Sequence, residues 1–446
     1  MRGRTNINGG GNVVVNGLVK EYTVAPESNI TKGDFVRLET KASTEILLNE
    51  RSESGNWVDY IGKIANKKHV FLIDSSLYII GIENKVPEIL SYYNQHKVVK
   101  AAMSSDGIIY CVLNAEPWVI SLRITENDTF ALENTAENIP DSYTPDSDNI
   151  KYCRVIGNNF YVISHYINKQ SNTYYLSVGV TSFDITDSAI NFKWIKSNGY
   201  SNGATYGRNA FDVIDDTIYF YSVVQRVLMV NSIYIDESNY QFTTHKIGEY
   251  GTDNETGGLW PLGNNLLIPM QNTILKINVI TGDSVSLPLS TFGMTNAKYH
   301  ARLLYPFKNK IAVLLYYYIT SSYSTKSNFE LAVLALDEQS NQLIKWSNVL
   351  TFYPRISGTK ISFQDGGSTT PLTGIADNDS IILINMYSSG YMTSLLTASE
   401  DYSTVMEGVD QNIVKPYDGK QSAIGFAKTG GTAGEKIKVY VPKEIG

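Results

Sequence analysis

The stretch Gly157-Asn158-Asn159-Phe160-Tyr161-Val162 places a polar turn directly before a short strand of apolar and aromatic residues. Small polar residues of this kind favour tight hairpin turns, and aromatic and β-branched residues favour strands. The sequence therefore predicts a hairpin here, and the same pattern occurs seven times along the chain, at 75–80, 105–110, 157–162, 215–220, 263–268, 308–313 and 377–382.

The spacing of these copies indicates what each unit contains. Their first apolar residues run from Leu77 to Ile381 in six intervals, a period of about 50 residues. A period of roughly 40–50 residues that holds four short strands is typical of a β-propeller blade. We therefore predict an all-β protein with a β-propeller of about seven blades. The first interval, from Leu77 to Ile108, is too short for a full blade of four strands. The alternative architecture is a stack of two sheets made of irregular hairpins.

The composition fits a folded β-protein and excludes several classes of partner. Apolar residues make up 43% of the 446 residues, enough to bury a sizeable core, and 31 residues are tyrosine. Acidic residues (44) outnumber basic ones (37), which leaves no positive surplus for phosphates, so no nucleic-acid partner is expected. No stretch approaches the ~20 apolar residues of a membrane helix, so no membrane partner is expected either.

The two ends of the chain differ from the middle in their sequence pattern. Short strands are predicted at 13–15, 21–24, 35–38, 423–427 and 436–441. Neither end is long enough to fold alone, because a lone core rarely suffices below ~40 residues. We predict that residues 1–44 and 411–446 together form one small β-barrel or sandwich, with the propeller, residues 45–410, inserted between its two halves.

The same ends carry a resemblance to a known class of proteins. The stretches YTVA at 22–25, ITKGDFV at 30–36 and IGFAKTGGTAGEKIKVYVP at 424–442 resemble the opening and close of small β-domains in structural proteins of bacteriophages that infect Clostridium-like bacteria. The resemblance is confined to the ends. It implies a virion protein whose split end-domain attaches to other virion proteins of the capsid, neck or tail. Its anchoring residues would be Gly33, Asp34, Phe35, Gly430, Gly431 and Gly434.

The start of the chain lacks the apolar core of a signal peptide, which fits a virion protein assembled in the cytoplasm of the bacterial host. The localisation expected from the resemblance is therefore the virion.

A search for catalytic motifs finds none. There is no nucleophile elbow and no P-loop, and no histidine pair has metal-binding spacing among His69, His96, His165, His245 and His300. Five carboxylates offer the oxygen ligands that calcium takes, namely Asp141, Asp146, Asp148, Asp377 and Asp379. Their spacing matches no EF-hand, and solvated acidic loops are the commoner explanation. Cys111 and Cys153 are predicted to be buried free thiols, with a disulfide as the alternative. We expect no enzyme, no cofactor and no metal.

Tyrosine-rich patches are the remaining candidate for a binding site. Adjacent tyrosines on a strand point to opposite faces, so one of each pair can pack while the other is exposed. Exposed tyrosine beside amide side chains suits both sugar recognition and protein interfaces, whereas packing between blades is the alternative interpretation. The candidate ligand-binding residues are Tyr174, Tyr175, Tyr316, Tyr317, Tyr318 and Tyr323, and Tyr92 and Tyr93 form a similar pair.

These observations together predict a non-enzymatic virion protein, a head- or tail-associated appendage. The end-domain would anchor it, and the propeller would bind the host surface, with a surface glycan as candidate ligand. A symmetric homo-oligomer is the base expectation for such appendages. The alternatives are a propeller hydrolase or lyase acting on host-wall polysaccharide, which would need a converging carboxylate pair, and a cell-surface lectin.

Overall fold

The computed structural model describes residues 17–25, 27–40, 44–46, 58–65, 68–81, 88–140, 149–170, 173–186, 188–200, 210–224, 227–251, 258–270, 273–294, 299–303, 310–317, 329–352, 355–356, 359–360, 372–377, 380–387, 390–399, 401–407, 409–419 and 423–442. Most of the described residues lie in strands, and the one helix among them is the 3₁₀ turn Leu289–Phe292. The chain divides into two compact units. One is made of residues 1–41 with 407–446, and the other of residues 42–406.

The amino end contributes β1 (Gly17–Val24), β2 (Asn29–Ile30), β3 (Phe35–Thr40) and β4 (Thr44–Ile46). Antiparallel meanders of four strands follow. The first contains β5 (Val58–Ala65), β6 (Lys68–Ile73), β7 (Ser76–Gly81) and β8 (Glu88–Tyr93). The second contains β9 (Val98–Met103), β10 (Ile109–Leu113), β11 (Val119–Ile124) and β12 (Phe130–Glu137). The third contains β13 (Ile150–Ile156), β14 (Asn159–Gln170), β15 (Thr173–Thr186) and β16 (Ala189–Tyr200).

The fourth meander contains β17 (Phe211–Ile214), β18 (Thr217–Val224), β19 (Val227–Asp236) and β20 (Gln241–Gly251). The fifth contains β21 (Trp260–Leu262), β22 (Asn265–Pro269), β23 (Thr273–Asn278) and β24 (Ser284–Pro288). The sixth contains β25 (Tyr299–Leu303), β26 (Lys310–Tyr317), β27 (Phe329–Asp337) and β28 (Gln342–Lys345), and β29 (Leu350–Phe352) also pairs with β27.

Two short paired strands, β30 (Arg355–Ile356) and β31 (Thr359–Lys360), precede the seventh meander. That meander contains β32 (Leu372–Asp377), β33 (Ser380–Tyr387), β34 (Gly390–Ala398) and β35 (Val405–Glu407), and the early strand β4 also pairs with β34. The chain then continues through β36 (Val409–Pro416), β37 (Gly425–Ala427), β38 (Gly431–Thr432) and β39 (Lys436–Pro442).

The polar turns predicted from the sequence mostly join the first and second strands of a meander. Gly157, Asp215 and Gly263 begin three such turns with φ between 50 and 56°, the left-handed conformation that tight hairpins require. The first copy is different, because Asp74 and Ser75 turn the chain between β6 and β7, the second and third strands. Its assignment as an equivalent of the others was wrong, and this explains the short first interval.

The apolar cores of the larger unit lie between consecutive meanders. One cluster joins Val70 and Leu72 of the first meander to Ile109 and Cys111 of the second. Further clusters join the second meander to the third, the third to the fourth and fifth, and the fifth to the sixth. A short parallel pairing of β12 with β16 also fuses the second and third meanders into one eight-stranded sheet. Successive meanders therefore pack against each other in chain order.

The smaller unit is a closed barrel whose strands come from both chain ends, in the order β1-β36-β3-β37-β39. β1 pairs with β39 in register from Gly17 opposite Pro442 to Thr23 opposite Lys436. The barrel interior is filled by small and β-branched side chains, namely Val24, Ile30, Val36, Val414, Ala427, Ile437 and Val439. The sequence analysis did not predict β36 as a barrel strand, and its predicted strand at 13–15 lies outside the described residues.

Among the described residues, no helix has the length and apolarity needed to cross a bilayer.

Candidate functional site

The six anchoring residues implied by the resemblance lie in the terminal barrel. Asp34 closes the turn before β3, because its Oδ2 accepts a hydrogen bond from the Thr31 N–H at 2.8 Å. The Gly33 N–H donates to the carbonyl of Ala427 at 2.8 Å, and the Ala427 N–H donates back to the carbonyl of Asp34 at 2.9 Å. The turn at one chain end is thus hydrogen-bonded to a strand from the other end.

The three glycines near the carboxyl end meet the same region of the barrel. Gly431 pairs with Ile30 between β38 and β2, and the Gly434 N–H donates to the carbonyl of Val24 at 2.9 Å. A Cβ on Gly430 would lie 2.9 Å from the Ile30 oxygen, so the close approach requires glycine. The structure therefore brings the six residues into one unit, where most of them have roles in turns and pairing. Phe35 differs from them, since its side chain is 62% exposed.

Four of the six tyrosines predicted to bind ligand lie in strands. Tyr174 and Tyr175 lie in β15, opposite Lys169 and Asn168 of β14. Tyr316 and Tyr317 lie in β26, opposite His300 and Tyr299 of β25. Tyr318 and Tyr323 lie outside the described residues. The pairing brings tyrosine and histidine together on the sixth meander, a juxtaposition that residue order alone does not reveal.

The alternation predicted for adjacent tyrosines is confirmed at Tyr92 and Tyr93. Tyr92 is 45% exposed and stacks on Tyr78, with ring centroids 6.0 Å apart. Tyr93 is buried, and its hydroxyl lies 2.7 Å from His96 Nδ1. Burial raises the pKa of Tyr93 to about 12, so this hydroxyl stays protonated at neutral pH.

The histidines with described side chains have ordinary hydrogen-bond partners. His69 is buried with Nδ1 3.2 Å from the Tyr60 hydroxyl, and His245 Nε2 lies 3.1 Å from Thr243 Oγ1. Within the described part of the chain, no three His, Cys, Asp or Glu side chains are grouped so as to hold a metal ion. The acidic residues weighed as calcium ligands fall largely outside that part, namely Asp141, Asp146, Asp148 and Asp379.

Cys111 and Cys153 are buried free thiols, as expected from the sequence. Burial raises the pKa of the Cys153 thiol to about 12 and holds that of Cys111 well above its usual range. Because only the thiolate is nucleophilic, neither cysteine is suited to covalent catalysis.

Charged residues on the first strands of four meanders form a feature that the sequence analysis missed. Lys100 of β9 donates to Asp59 of β5, with Nζ 2.6 Å from Oδ2, and both side chains are largely buried. Burial raises the pKa of Cys153 and of Asp212 in β17, and the positive charge of Arg154 in β13 opposes both increases without overcoming them. These residues are roughly 40 to 60 positions apart in sequence, a spacing that no short motif covers.

Asp212 has the altered acidity that an acid–base group needs. Burial raises its pKa to about 7, although the Val213 N–H donates to its Oδ1 at 2.8 Å and Arg154 is nearby. A carboxyl with a pKa near neutrality can take up or release a proton at working pH. Glycoside hydrolysis needs a second carboxyl group that acts together with the first. The carboxylate of Asp59, on the first strand of another meander, is already ion-paired with Lys100. Asp212 is therefore the one carboxyl group among the described residues whose pKa is raised towards neutrality.

Comparisons with known proteins give no family. No family model matches the chain, and no curated protein matches it. Among solved structures, the chain is similar to a crystal structure of a protein from Lactobacillus plantarum, with 12% identity and a TM-score of 0.45, over 88% of this chain and 99% of that one. It is also similar to a chain in a Saccharomyces cerevisiae complex of dbp5 with nup159, gle1, IP6 and ADP, with 11% identity and a TM-score of 0.38, over 84% of this chain and 98% of that one. At these TM-scores the likenesses carry no argument.

Proposed function

We propose that this protein is a non-enzymatic structural component of a bacteriophage virion, in which the terminal barrel attaches to the particle and the large unit binds the host surface. One observation carries the proposal. The chain segments that resemble phage structural domains, 22–36 and 424–442, close a single barrel that is a compact unit by itself. A split domain of this kind can attach at its own surface while a large insertion projects from it.

We further propose that the seven meanders are the blades of a seven-bladed β-propeller. Contacts between first strands support this arrangement: β5 contacts β9, β9 contacts β13, and β17 contacts β21. β32 of the seventh meander contacts β5 of the first, which is what closure of a ring requires. The pairing of β4 with β34 ties the amino-terminal side of the unit to its last sheet.

Hydrogen bonds between neighbouring meanders follow the same order. The turn between the third and fourth strands of one meander contacts the preceding meander. Asp128 of the second binds Lys68 of the first, with Oδ2 2.7 Å from Nζ. In the sixth meander, the carbonyl of Asn341 accepts a hydrogen bond from Lys276 Nζ of the fifth meander at 2.6 Å. Trp346, next to the sixth meander, donates to the carbonyl of Asp401 beside the seventh at 2.7 Å. A repeated contact of this kind favours radial packing over an irregular stack.

Glu237 makes the most extensive of these inter-sheet contacts. It begins the turn between β19 and β20 of the fourth meander and accepts hydrogen bonds from side chains of the third. Its carboxylate accepts from Ser182 Oγ at 2.8 Å and Trp194 Nε1 at 3.2 Å, and Lys193 Nζ lies 2.8 Å away. Tyr161 is a further hydrogen-bond partner. One partly buried carboxylate thus links the third and fourth meanders, which also share an apolar cluster.

Exposed aromatic residues on the large unit support a role in binding. Tyr234 is 60% exposed, Tyr240 50% and Trp346 38%, and Lys310 Nζ lies 4.6 Å from the centre of the Trp346 ring. Aromatic side chains with nearby polar groups give rigid contact area at low entropic cost. A glycan of the host surface is the ligand class that we propose for them.

The proposal is tested by the protein composition of particles. Particles induced from a strain that carries the gene are purified on a density gradient and compared with particles from a deletion strain by quantitative mass spectrometry. The protein is expected in the first and absent from the second, at a constant ratio to the major capsid protein. Its absence from both would refute a virion role.

The enzyme and lectin alternatives need a separate test on purified protein. A glycan-binding screen is run beside a turnover assay on host-wall polysaccharide, with the wild type and Asp212→Asn. Binding without turnover is the expected result. Turnover that Asp212→Asn abolishes would instead establish a propeller hydrolase or lyase.

A further inference from the structure

The outer face of the terminal barrel carries a continuous row of apolar side chains that crosses four strands. Phe35 of β3 is opposite Phe426 of β37, Phe426 is opposite Tyr440 of β39, and Tyr440 is opposite Val19 of β1. Directly opposite residues on neighbouring strands point to the same face of a sheet. These four residues, called the aromatic row below, therefore lie side by side on the outside of the barrel.

The aromatic row is accessible. Phe35 is 62% exposed and Val19 is 54% exposed, while Phe426 and Tyr440 are partly buried against each other, with ring centroids 5.1 Å apart. Single exposed apolar residues are normal on protein surfaces, but a contiguous group indicates an interaction site.

Lysine residues border the aromatic row on one side. The Lys428 ammonium lies 5.9 Å from the Phe426 ring centre and 5.7 Å from that of Tyr440. The Lys428 N–H donates to the carbonyl of Lys438 at 2.7 Å, which places these two exposed lysines next to each other. Glu21 of β1 lies directly opposite Lys438, and two other charged pairs lie within the barrel. Arg37 binds Asp418, and Lys415 binds Glu39.

We propose that the aromatic row is the surface by which the barrel docks on the particle, and that its partner is a virion protein presenting an apolar patch bordered by carboxylates. This inference rests on the proposed function. Charge decides between the occupants, because the Lys428 ammonium beside the two rings complements an acidic border and would repel the same ammonium on a second copy of this chain. Apolar contact supplies the affinity, and the lysines select the partner.

The test uses complementation in a strain whose particles lack the protein. The full-length chain is supplied as wild type, Phe35→Gln or Lys428→Glu, and copies per particle are measured by mass spectrometry. Ile280→Gln is the matched control, since Ile280 is at least as exposed as Phe35 but lies in the large unit. Thermal unfolding of each purified variant checks that it folds as the wild type does.

Both barrel variants are expected to lose incorporation by at least about tenfold, while Ile280→Gln stays at the wild-type level. If all variants are incorporated equally, the docking surface is wrong and the virion role stands. If the wild type itself is absent from particles, the virion role and the docking surface both fall. Sedimentation of the purified protein gives one more decisive result, because a wild-type dimer that Phe35→Gln dissociates would assign the row to self-association.

Discussion

Asp212 lies on β17, the first strand of the fourth meander, and its side chain is half-buried. Burial raises the pKa of its carboxyl group to about 7. In the unfolded chain its pKa is about 3.9, so between these two values the folded state binds more protons. Its contribution to stability is therefore present at low pH and is lost as the pH rises towards 7. This direction is opposite to that of a carboxylate stabilised in an ion pair.

Asp212→Asn is expected to raise the free energy of unfolding at pH 8 by up to about 4 kcal/mol and to change it little at pH 4. Asparagine keeps the oxygen that accepts the Val213 N–H, so the local structure is preserved. The measurement is urea unfolding followed by tryptophan fluorescence, which reports the large unit because all five tryptophans belong to it. Asp283→Asn, at an exposed turn, is the control. An unchanged pH dependence in Asp212→Asn would contradict the account.

Gly425 is a position in the barrel where any side chain is excluded. A Cβ there would lie 2.0 Å from the carbonyl oxygen of Tyr440 on the neighbouring strand. Gly425→Ala is therefore expected to destabilise the barrel by at least about 2 kcal/mol, because β37 and β39 must separate. Hydrogen exchange of barrel amides measures this, with Gly251→Ala as control, since nothing lies within 4 Å of its Cβ. Equal exchange protection in the two variants would show that the strands adapt.

At the scale of elements, the contacts between meanders depend on a few turn residues, and Glu237 is the clearest example. Burial raises its pKa, but the hydrogen bonds from Lys193, Tyr161, Ser182 and Trp194 outweigh burial and leave the pKa lowered. The stabilisation by this carboxylate is thus present at neutral pH and is lost as the pH falls through its pKa in the folded state.

Glu237→Gln is expected to lower the free energy of unfolding of the large unit by about 1–3 kcal/mol at pH 7, because Lys193 loses its partner in a partly buried site. The loss is expected to shrink as the wild-type carboxylate becomes protonated. Glu249→Gln is the control, since its pair with Lys246 is half exposed and contributes less than about 1 kcal/mol. Equal effects of the two substitutions in urea unfolding would refute a special role for Glu237.

The sequence predicted the hairpins well wherever the turn chemistry is local. The hairpins predicted at 105–110 and 157–162 are the β9–β10 and β13–β14 hairpins. The copy at 75–80 was misplaced by one strand, because a polar turn gives the same signal between any two strands of a meander. β36, VDQNIVKP, was missed as a barrel strand because it carries little alternation of apolar and polar residues.

The candidate sites were less predictable than the strands. The tyrosine patches were visible because their residues are adjacent in sequence. The aromatic row and the charged residues of the first strands join positions that are tens to hundreds of residues apart. Such groups form only through the pairing of strands, and register is not readable from a single strand. Phe35 was predicted as an anchoring residue, but its neighbours Phe426 and Tyr440 were not.

At the scale of the whole molecule, the chain forms two units, a barrel closed by both chain ends and a larger all-β unit inserted between them. The barrel encloses its own apolar core, and the larger unit contains the cores between its meanders. These separate cores are the physical basis for the proposed function. In the proposed function, the barrel binds the particle and the larger unit binds the host surface.

Cryo-electron microscopy of intact particles tests this central claim most directly. Particles from a strain with the gene are compared with particles from the deletion strain. The account predicts ring-shaped density of seven radial units, joined to the particle surface by a small barrel, in the first sample and not in the second. Identical density in both samples would contradict it, as would attachment of the ring itself to the particle with the barrel facing outward.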